Sequence, residues 1–180
     1  MPAKLPAQPW SVPVKLSEVP EDGRQVKLAP DAATRTAVAG FAGVLEVPRL
    51  EADFSLSRVG QGSLRVVGQV SATVVQRCVV TLDPVRNEVE EEINLVFAPP
   101  AAATAPAKAM QSVDAEDPSE ELRHGAVDLG AIATEFLVLG IDPYPRKPDA
   151  TFDSPAADDP ASHPFSALAA LKNGSDEKDS

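Results

Sequence analysis

The sequence predicts an α+β fold, a twisted antiparallel β-meander or partly closed barrel with helices packed on one side. Residues 50–56, 64–74 and 85–97 alternate apolar and polar side chains with a period of two, which is typical of half-buried strands. Glycines separate the first two segments, and an Asp-Pro pair precedes the third. Strands that follow one another through tight turns pair antiparallel. Two further segments have helical spacing.

The three strands are predicted to bury one face each. Their apolar positions would share a single core, formed by Phe54, Leu56, Val66, Val70, Val74, Ile93 and Leu95. The opposite face of the second strand carries arginines and small polar residues, and that of the third carries glutamates. Because this face is polar along all three strands, we expect it to face solvent.

Capping residues place the two helices. Asp31 is a suitable N-cap for a helix over residues 32–42, which Gly43 would end. Asp128 is a suitable N-cap for a second helix, which would end at the pair Asp142-Pro143. A short third helix is predicted over residues 165–172.

Composition suggests how the rest of the chain is organised. Residues 1–98 are predicted to form a β-rich core with one helix, including extended segments at 10–16 and 25–29. Residues 99–121 are rich in Ala and Pro and then acidic, which predicts a flexible linker or loop. Residues 122–172 would form a helical segment packed on the core. Residues 173–180 would be a disordered tail.

The net charge of −11 is unevenly distributed. Residues 1–86 contain ten basic and eight acidic residues, a charge of +2, whereas residues 87–180 contain six and nineteen, a charge of −13. The N-terminal half is therefore near neutral or slightly basic, and the acidic residues lie mainly in the linker and tail. The overall charge alone does not exclude a nucleic-acid partner.

The sequence also argues against several classes of protein. No apolar run approaches the roughly 18 residues of a transmembrane helix, and the N-terminus lacks the apolar region of a secretory signal. The single cysteine, Cys78, suits the reducing cytoplasm and is expected to pack as a small buried hydrophobe. We therefore expect a cytoplasmic protein without membrane contact.

No pattern for catalysis or for a cofactor is present. His124 and His163 lie in low-complexity stretches, where a nucleophile and its base would not be held in fixed geometry. The run Glu90-Glu91-Glu92 fits a solvated strand face. One cysteine and two distant histidines cannot supply the four ligands of a structural zinc site. We expect no enzymatic activity, metal, cofactor or small-molecule substrate.

Exposed cations are the candidate binding residues. Those selected for contact with RNA or a protein partner are Arg58, Arg65, Arg77, Arg86, Arg146 and Lys147. The sheet face could follow phosphates and riboses, although it has no aromatic residues for base stacking. The alternative for Arg77 is a cross-strand ion pair with Glu88, Glu90 or Glu92. Arg146 and Lys147 lie in a proline-rich segment, 143–148, that is expected to be stiff and extended.

Several motifs resemble the YceD (DUF177) family in the form found in alphaproteobacteria. They are WSVPV at 10–14, GVLEVPRL at 43–50, VVQRCVVTLDPV at 74–85, VDLGAIATEF at 127–136, DPYPRK at 142–147 and PFSAL at 164–168. Many family members carry a Cys-x-Arg-Cys element and a second cysteine cluster. Here Val75 replaces the first cysteine, only Arg77 and Cys78 match, and the later cysteines are missing. A metal-linked role therefore does not transfer.

The resemblance implies a non-catalytic factor in the accumulation, processing or assembly of large-subunit (23S) ribosomal RNA. Its partner would be precursor RNA, or a ribosomal protein toward which the acidic residues mimic RNA. The alternative is a protein-only adaptor that binds its partner through the apolar second helix or an exposed sheet edge.

Overall fold

A computed structural model describes residues 8–60, 62–99 and 120–152. The chain divides into two units, residues 1–147 and 148–180, and every helix and strand given below lies in the first unit. The predicted helix at 165–172, His163 and the predicted tail at 173–180 lie outside the described residues.

Five strands form one sheet. β2 is Arg24–Leu28, β3 is Glu46–Val59, β4 is Ser63–Arg77, β5 is Pro84–Ala98 and β6 is Glu120–Glu121. They lie in the order β2-β3-β4-β5-β6, and all pairs are antiparallel except the short parallel pair of β5 with β6. The order is linear and does not return to β2, so the described sheet is open and the partly closed barrel is not formed.

The alternation in the sequence sets the two faces of this sheet. Every residue predicted for the core is buried except Leu95, which is partly buried against it. Residues of the intervening positions on β3, β4 and β5 face the other side. The meander prediction is confirmed; β3 and β4 are several residues longer than their alternating segments indicate, and β5 is longer by one residue at each end.

Both predicted helices form with their predicted caps. α1 spans Ala32–Ala42; the Asp31 carboxylate accepts a hydrogen bond from the Thr34 N–H at 2.8 Å, and Gly43 ends the helix with φ of 69°. α2 spans Leu129–Gly140. Each helix contributes buried side chains to the core shared with the sheet.

Asp128 fixes the start of α2 to the N-terminal part of the chain. β1 is Pro13–Lys15, and it pairs with β7, Ala126–Asp128, in a separate two-stranded sheet. The Asp128 carboxylate accepts hydrogen bonds from the N–H groups of Gly130 and Ala131 and from the Ser11 hydroxyl and Val12 N–H. One side chain therefore caps α2 and also accepts hydrogen bonds from the segment that leads into β1.

The chain rejoins the sheet earlier than its composition suggests. Glu120 and Glu121, assigned by sequence to the linker, form β6 beside Phe97 and Ala98. Leu122 follows, only 4% exposed, and belongs to the core. Two paired residues leave no periodic signal, so pairing of this length cannot be detected from the pattern.

Gly68 allows close approach of β3 and β4 at the centre of the sheet. A Cβ atom at Gly68 would lie 2.3 Å from the Asp53 carbonyl oxygen and 2.9 Å from a ring carbon of Phe54. Neither neighbour is a flexible side-chain end, because one is backbone and the other belongs to a ring 1% exposed. The close packing of β4 against β3 therefore depends on the absence of a side chain at position 68.

We expect Gly68→Ala to lower the free energy of unfolding by about 1–3 kcal/mol, since even one methyl group overpacks this site. The matched control is Gly40→Ala. Gly40 lies in α1, is exposed, and a Cβ there would meet nothing within 4 Å. That change should be neutral or stabilise by up to about 1 kcal/mol. Urea denaturation measures both, and equal effects of the two substitutions would contradict the close packing.

Candidate functional site

The segment that follows α2 docks on the turn between β4 and β5. The Val79 N–H donates to the Pro145 carbonyl oxygen at 2.9 Å. The Lys147 ammonium group lies 3.1 Å from an Asp83 carboxylate oxygen, and the Lys147 N–H lies 3.4 Å from the Cys78 sulfur. We call this contact, between residues 76–83 and 142–147, the docking seam. Contrary to the extended prediction, the chain bends at Pro143 and Tyr144.

A buried glutamine supports the docking seam from inside. The Gln76 side chain is 7% exposed, donates to the Asp142 carbonyl oxygen at 2.7 Å, and accepts from the Asn87 amide at 2.9 Å. Both polar ends of Gln76 are thereby satisfied inside the protein. These two hydrogen bonds connect the end of β4 and the start of β5 to the segment that follows α2.

Cys78 is a polar member of the docking seam as well as a buried side chain. It is fully buried, and its sulfur accepts N–H groups of Val80, Thr81 and Lys147, each at 3.4 Å. Hydrogen bonds from Thr81, and then that from Lys147, lower the pKa of the thiol to about 6. The prediction of burial is confirmed. Cys78 is also more than a small hydrophobe, because its sulfur accepts a hydrogen bond from the backbone N–H of Lys147 in the docked segment.

Two of the candidate arginines are neighbours at the end of the sheet. Arg77 lies opposite Pro84, and Arg86 lies opposite Val75. This register makes Arg77 and Arg86 diagonal neighbours on the solvent face, a relation in which Cα atoms are about 7–8 Å apart. Both side chains are exposed.

The docking seam adds two more cations to the same end. The residues that carry them, Arg146 and Lys147, follow Pro145 directly and are exposed. Lys147 pairs with Asp83, and this hydrogen bond holds the pKa of the Asp83 carboxyl below its usual range. We define the cationic end as Arg77, Arg86, Arg146 and Lys147.

The predicted ion pair between Arg77 and the glutamates of β5 is wrong. Arg77 faces Pro84, and Glu88 faces Thr73 four residues away along β4. The Glu88 carboxylate accepts the Thr73 hydroxyl at 2.9 Å and lies 3.2 Å from the Arg49 guanidinium. The Thr73 hydroxyl, Arg49 and Arg86 lower the pKa of Glu88. The turn is longer than an Asp-Pro corner, with the Cys78 N–H bonded to the Asp83 carbonyl, and this shifts the register.

The other two candidate arginines lie at the far end of the sheet. Arg65 is twelve residues before Arg77 on β4, a distance of about 40 Å at the usual rise per strand residue. Arg65 is half-buried between Ser57 and Val96. The Arg58 guanidinium donates to the carbonyl oxygens of Val19 and Leu16, at 2.6 and 3.0 Å. Arg58 thus holds the N-terminal turn, which is a structural role.

Between these two ends the solvent face of the sheet is acidic. Its central rows carry five carboxylates and two cations, namely Glu51, Asp53, Glu88, Glu90, Glu92, Lys27 and Arg49. The cations are already engaged, Lys27 with Asp53 and Arg49 with Glu51 and Glu88, at 3.2 Å each. We call these rows the acidic face. It does not suit a phosphate backbone, so the six candidate cations do not form one continuous surface.

The apolar stripe of α2 is used inside the protein. Leu129 and Leu137 are fully buried, and Phe136 is partly buried against the core. The stripe is therefore covered by the sheet and is not open to a partner. An adaptor that binds through this helix would have to use its exposed residues, such as Leu139, which is 71% exposed.

Sequence reasoning missed two exposed apolar side chains beside the cationic end. Tyr144 is 71% exposed and Leu82 is 63% exposed. Tyr144 could have been noticed as an aromatic residue between two prolines. Leu82 has a φ of 63°, a left-handed conformation that no feature of the sequence announces for a leucine.

Within the described ranges, no group of three or more His, Cys, Asp and Glu side chains could hold a metal ion. His124 lies exposed at a backbone kink with φ of 54°. Of the helices that the structure describes, none is long and apolar enough to cross a membrane.

Comparison with known proteins identifies a family that the chain matches. The sequence model of the family described as "Large ribosomal RNA subunit accumulation protein YceD" matches residues 66–172, more than half of the chain. The matched range includes most of β4 and all of β5, α2 and the docking seam. No curated protein and no solved structure matches the chain.

We expect Gln76→Leu to lower the free energy of unfolding by about 1–3 kcal/mol, because it removes two partly buried hydrogen bonds, one to the Asp142 carbonyl oxygen and one from the Asn87 amide. Hydrogen exchange at the Val79 amide should become faster as the docking seam loosens. Gln69→Leu is the matched control, since Gln69 is an exposed residue of the same strand. It should change stability by no more than about 0.5 kcal/mol. Unchanged exchange at Val79 in the Gln76 variant would show that the glutamine does not hold the segment.

Proposed function

We propose that this chain, which belongs to the YceD family of large ribosomal RNA subunit accumulation proteins, acts by transient binding of precursor large-subunit RNA at its cationic end. The family description gives the role in accumulation of the RNA. The single observation that supports direct contact is the arrangement of Arg77, Arg86, Arg146 and Lys147 around the docking seam.

Charge separation makes this end the best candidate for RNA. Phosphates are bound mainly by Lys and Arg, and three exposed guanidinium groups supply donors in the fork geometry that suits a phosphate. Asp83 offsets one of the four charges through its pair with Lys147. The acidic face would repel the remainder of an RNA strand and confine it to this end of the sheet.

We propose that the contribution is not enzymatic. The family is described as an accumulation factor, and the thiol of the single cysteine, Cys78, is fully buried. A role in the accumulation of ribosomal RNA would place the protein in the cytoplasm, where the RNA is assembled into subunits.

A second candidate partner is a basic ribosomal protein. The observation that favours it is the acidic face, where the carboxylates of β3 and β5 outnumber the cations of β2 and β3. Such a surface could hold a basic segment that otherwise binds RNA. The two partners use different surfaces, so substitutions at one surface leave the other unchanged.

We expect the triple variant Arg77→Gln, Arg86→Gln, Arg146→Gln to bind precursor RNA more weakly, and equally so across sequences. Each lost phosphate contact should reduce the slope of log K against log salt by about 0.7–0.9. Lys147 stays unchanged because it also holds the docking seam. The matched control is Lys15→Gln, Arg24→Gln, Lys27→Gln, which removes the same charge from exposed residues elsewhere.

Filter binding at several salt concentrations measures both variants. The control should keep most of the affinity and the wild-type slope. If the triple variant binds as the wild type does at every salt concentration, direct contact at the cationic end is wrong. Retained binding of a basic ribosomal protein, lost on Glu90→Gln and Glu92→Gln, would then favour the second candidate.

A further inference from the structure

Tyr144 presents an aromatic ring to solvent on a backbone that is held in place. Its N–H donates to the Asp142 carboxylate at 2.9 Å, and its neighbours on both sides are prolines. Pro145 is buried, and its carbonyl oxygen accepts the Val79 N–H. The backbone is therefore fixed on both sides of the ring, while the side chain itself is 71% exposed.

Leu82 is a second exposed apolar side chain on a backbone that is held in place. It adopts a left-handed backbone conformation, which is costly for a residue with a Cβ atom, and its side chain is 63% exposed. The Leu82 N–H donates to the Cys78 carbonyl oxygen, which keeps it in the docking seam. Burial of the Leu82 side chain does not offset the strain. Strained conformations of this kind occur preferentially at sites of binding.

The cations lie in the same segments as these two side chains. Arg146 is two residues after Tyr144, and Arg77 is two residues before Val79, whose N–H binds the docked segment. An exposed ring beside guanidinium groups matches single-stranded RNA, in which a base can leave the stack and lie on an aromatic face. Duplex RNA offers no open base face, so the ring would gain nothing from it.

We propose that Tyr144 stacks on an unpaired base of the RNA, with Leu82 against the edge of that nucleotide and the arginines of the cationic end on the adjoining phosphates. The proposal rests on the proposed function and narrows its ligand to unpaired RNA. It also gives an energetic reason for leaving an aromatic ring exposed, because stacking is sequence-tolerant and adds to phosphate contacts.

The test compares a short single-stranded RNA of mixed sequence with the same strand annealed to its complement. Tyr144→Ala and Tyr144→Leu should each weaken binding of the single strand about 5- to 150-fold, the range that one stacked base gives. Tyr144→Phe should retain most of the affinity, since it keeps the ring. The salt slope should stay at the wild-type value in all three, because the ring contacts no phosphate.

A purely structural role for Tyr144 would give a different pattern. In that case Tyr144→Ala would speed hydrogen exchange at Val79, lower the salt slope together with the affinity, and weaken binding of the duplex as much as that of the single strand. That pattern, or unchanged binding of the single strand by Tyr144→Ala, would overturn the stacking proposal. The proposed function would survive either result if the triple arginine variant still binds RNA more weakly than the wild type. If the wild-type protein binds neither RNA form, or binds an acidic peptide in their place, both proposals fail.

Discussion

The hydrogen bonds of the docking seam are the constraint on which the rest of this molecule's candidate site depends. They join the β4–β5 turn to residues about 65 positions later, through Gln76 to the Asp142 carbonyl and through Val79 to the Pro145 carbonyl. A loop with two prolines could not present its charges in a fixed place without such partners. The contact therefore holds the segment after α2 against the sheet and fixes the positions of Arg146 and Lys147 beside Arg77 and Arg86.

Charge is divided along the sheet, and the division matters more than the total. A protein of net charge −11 attracts RNA poorly at long range, but at a Debye length of about 8 Å its distant carboxylates are largely screened. Local charge then decides the contact. If RNA binds as proposed, the acidic face would limit where the polyanion lies, and weak binding at one end would allow its release.

Local patterns in the sequence were enough for the elements and the core, but not for the site. Alternation predicted which faces of β3, β4 and β5 are buried, and Asp31 and Asp128 marked both helix starts. The positions of the candidate binding residues depend instead on strand register and on contacts between segments that are far apart in the sequence. The extra turn residues after Cys78 moved Arg77 away from Glu88, and Arg58 turned out to hold backbone carbonyls. Contacts between distant segments leave no periodicity, so these two contacts could not be deduced, and the only sign of the exposed Tyr144 was its place between two prolines.

Ultraviolet crosslinking in cells, with sequencing of the attached RNA and mass spectrometry of the attached peptides, tests direct contact at the cationic end most directly. The account predicts RNA from large-subunit precursors joined to peptides that contain residues 76–86 or 142–147. Crosslinks confined to peptides of the acidic face, or recovery of a protein partner with no large-subunit RNA, would contradict it.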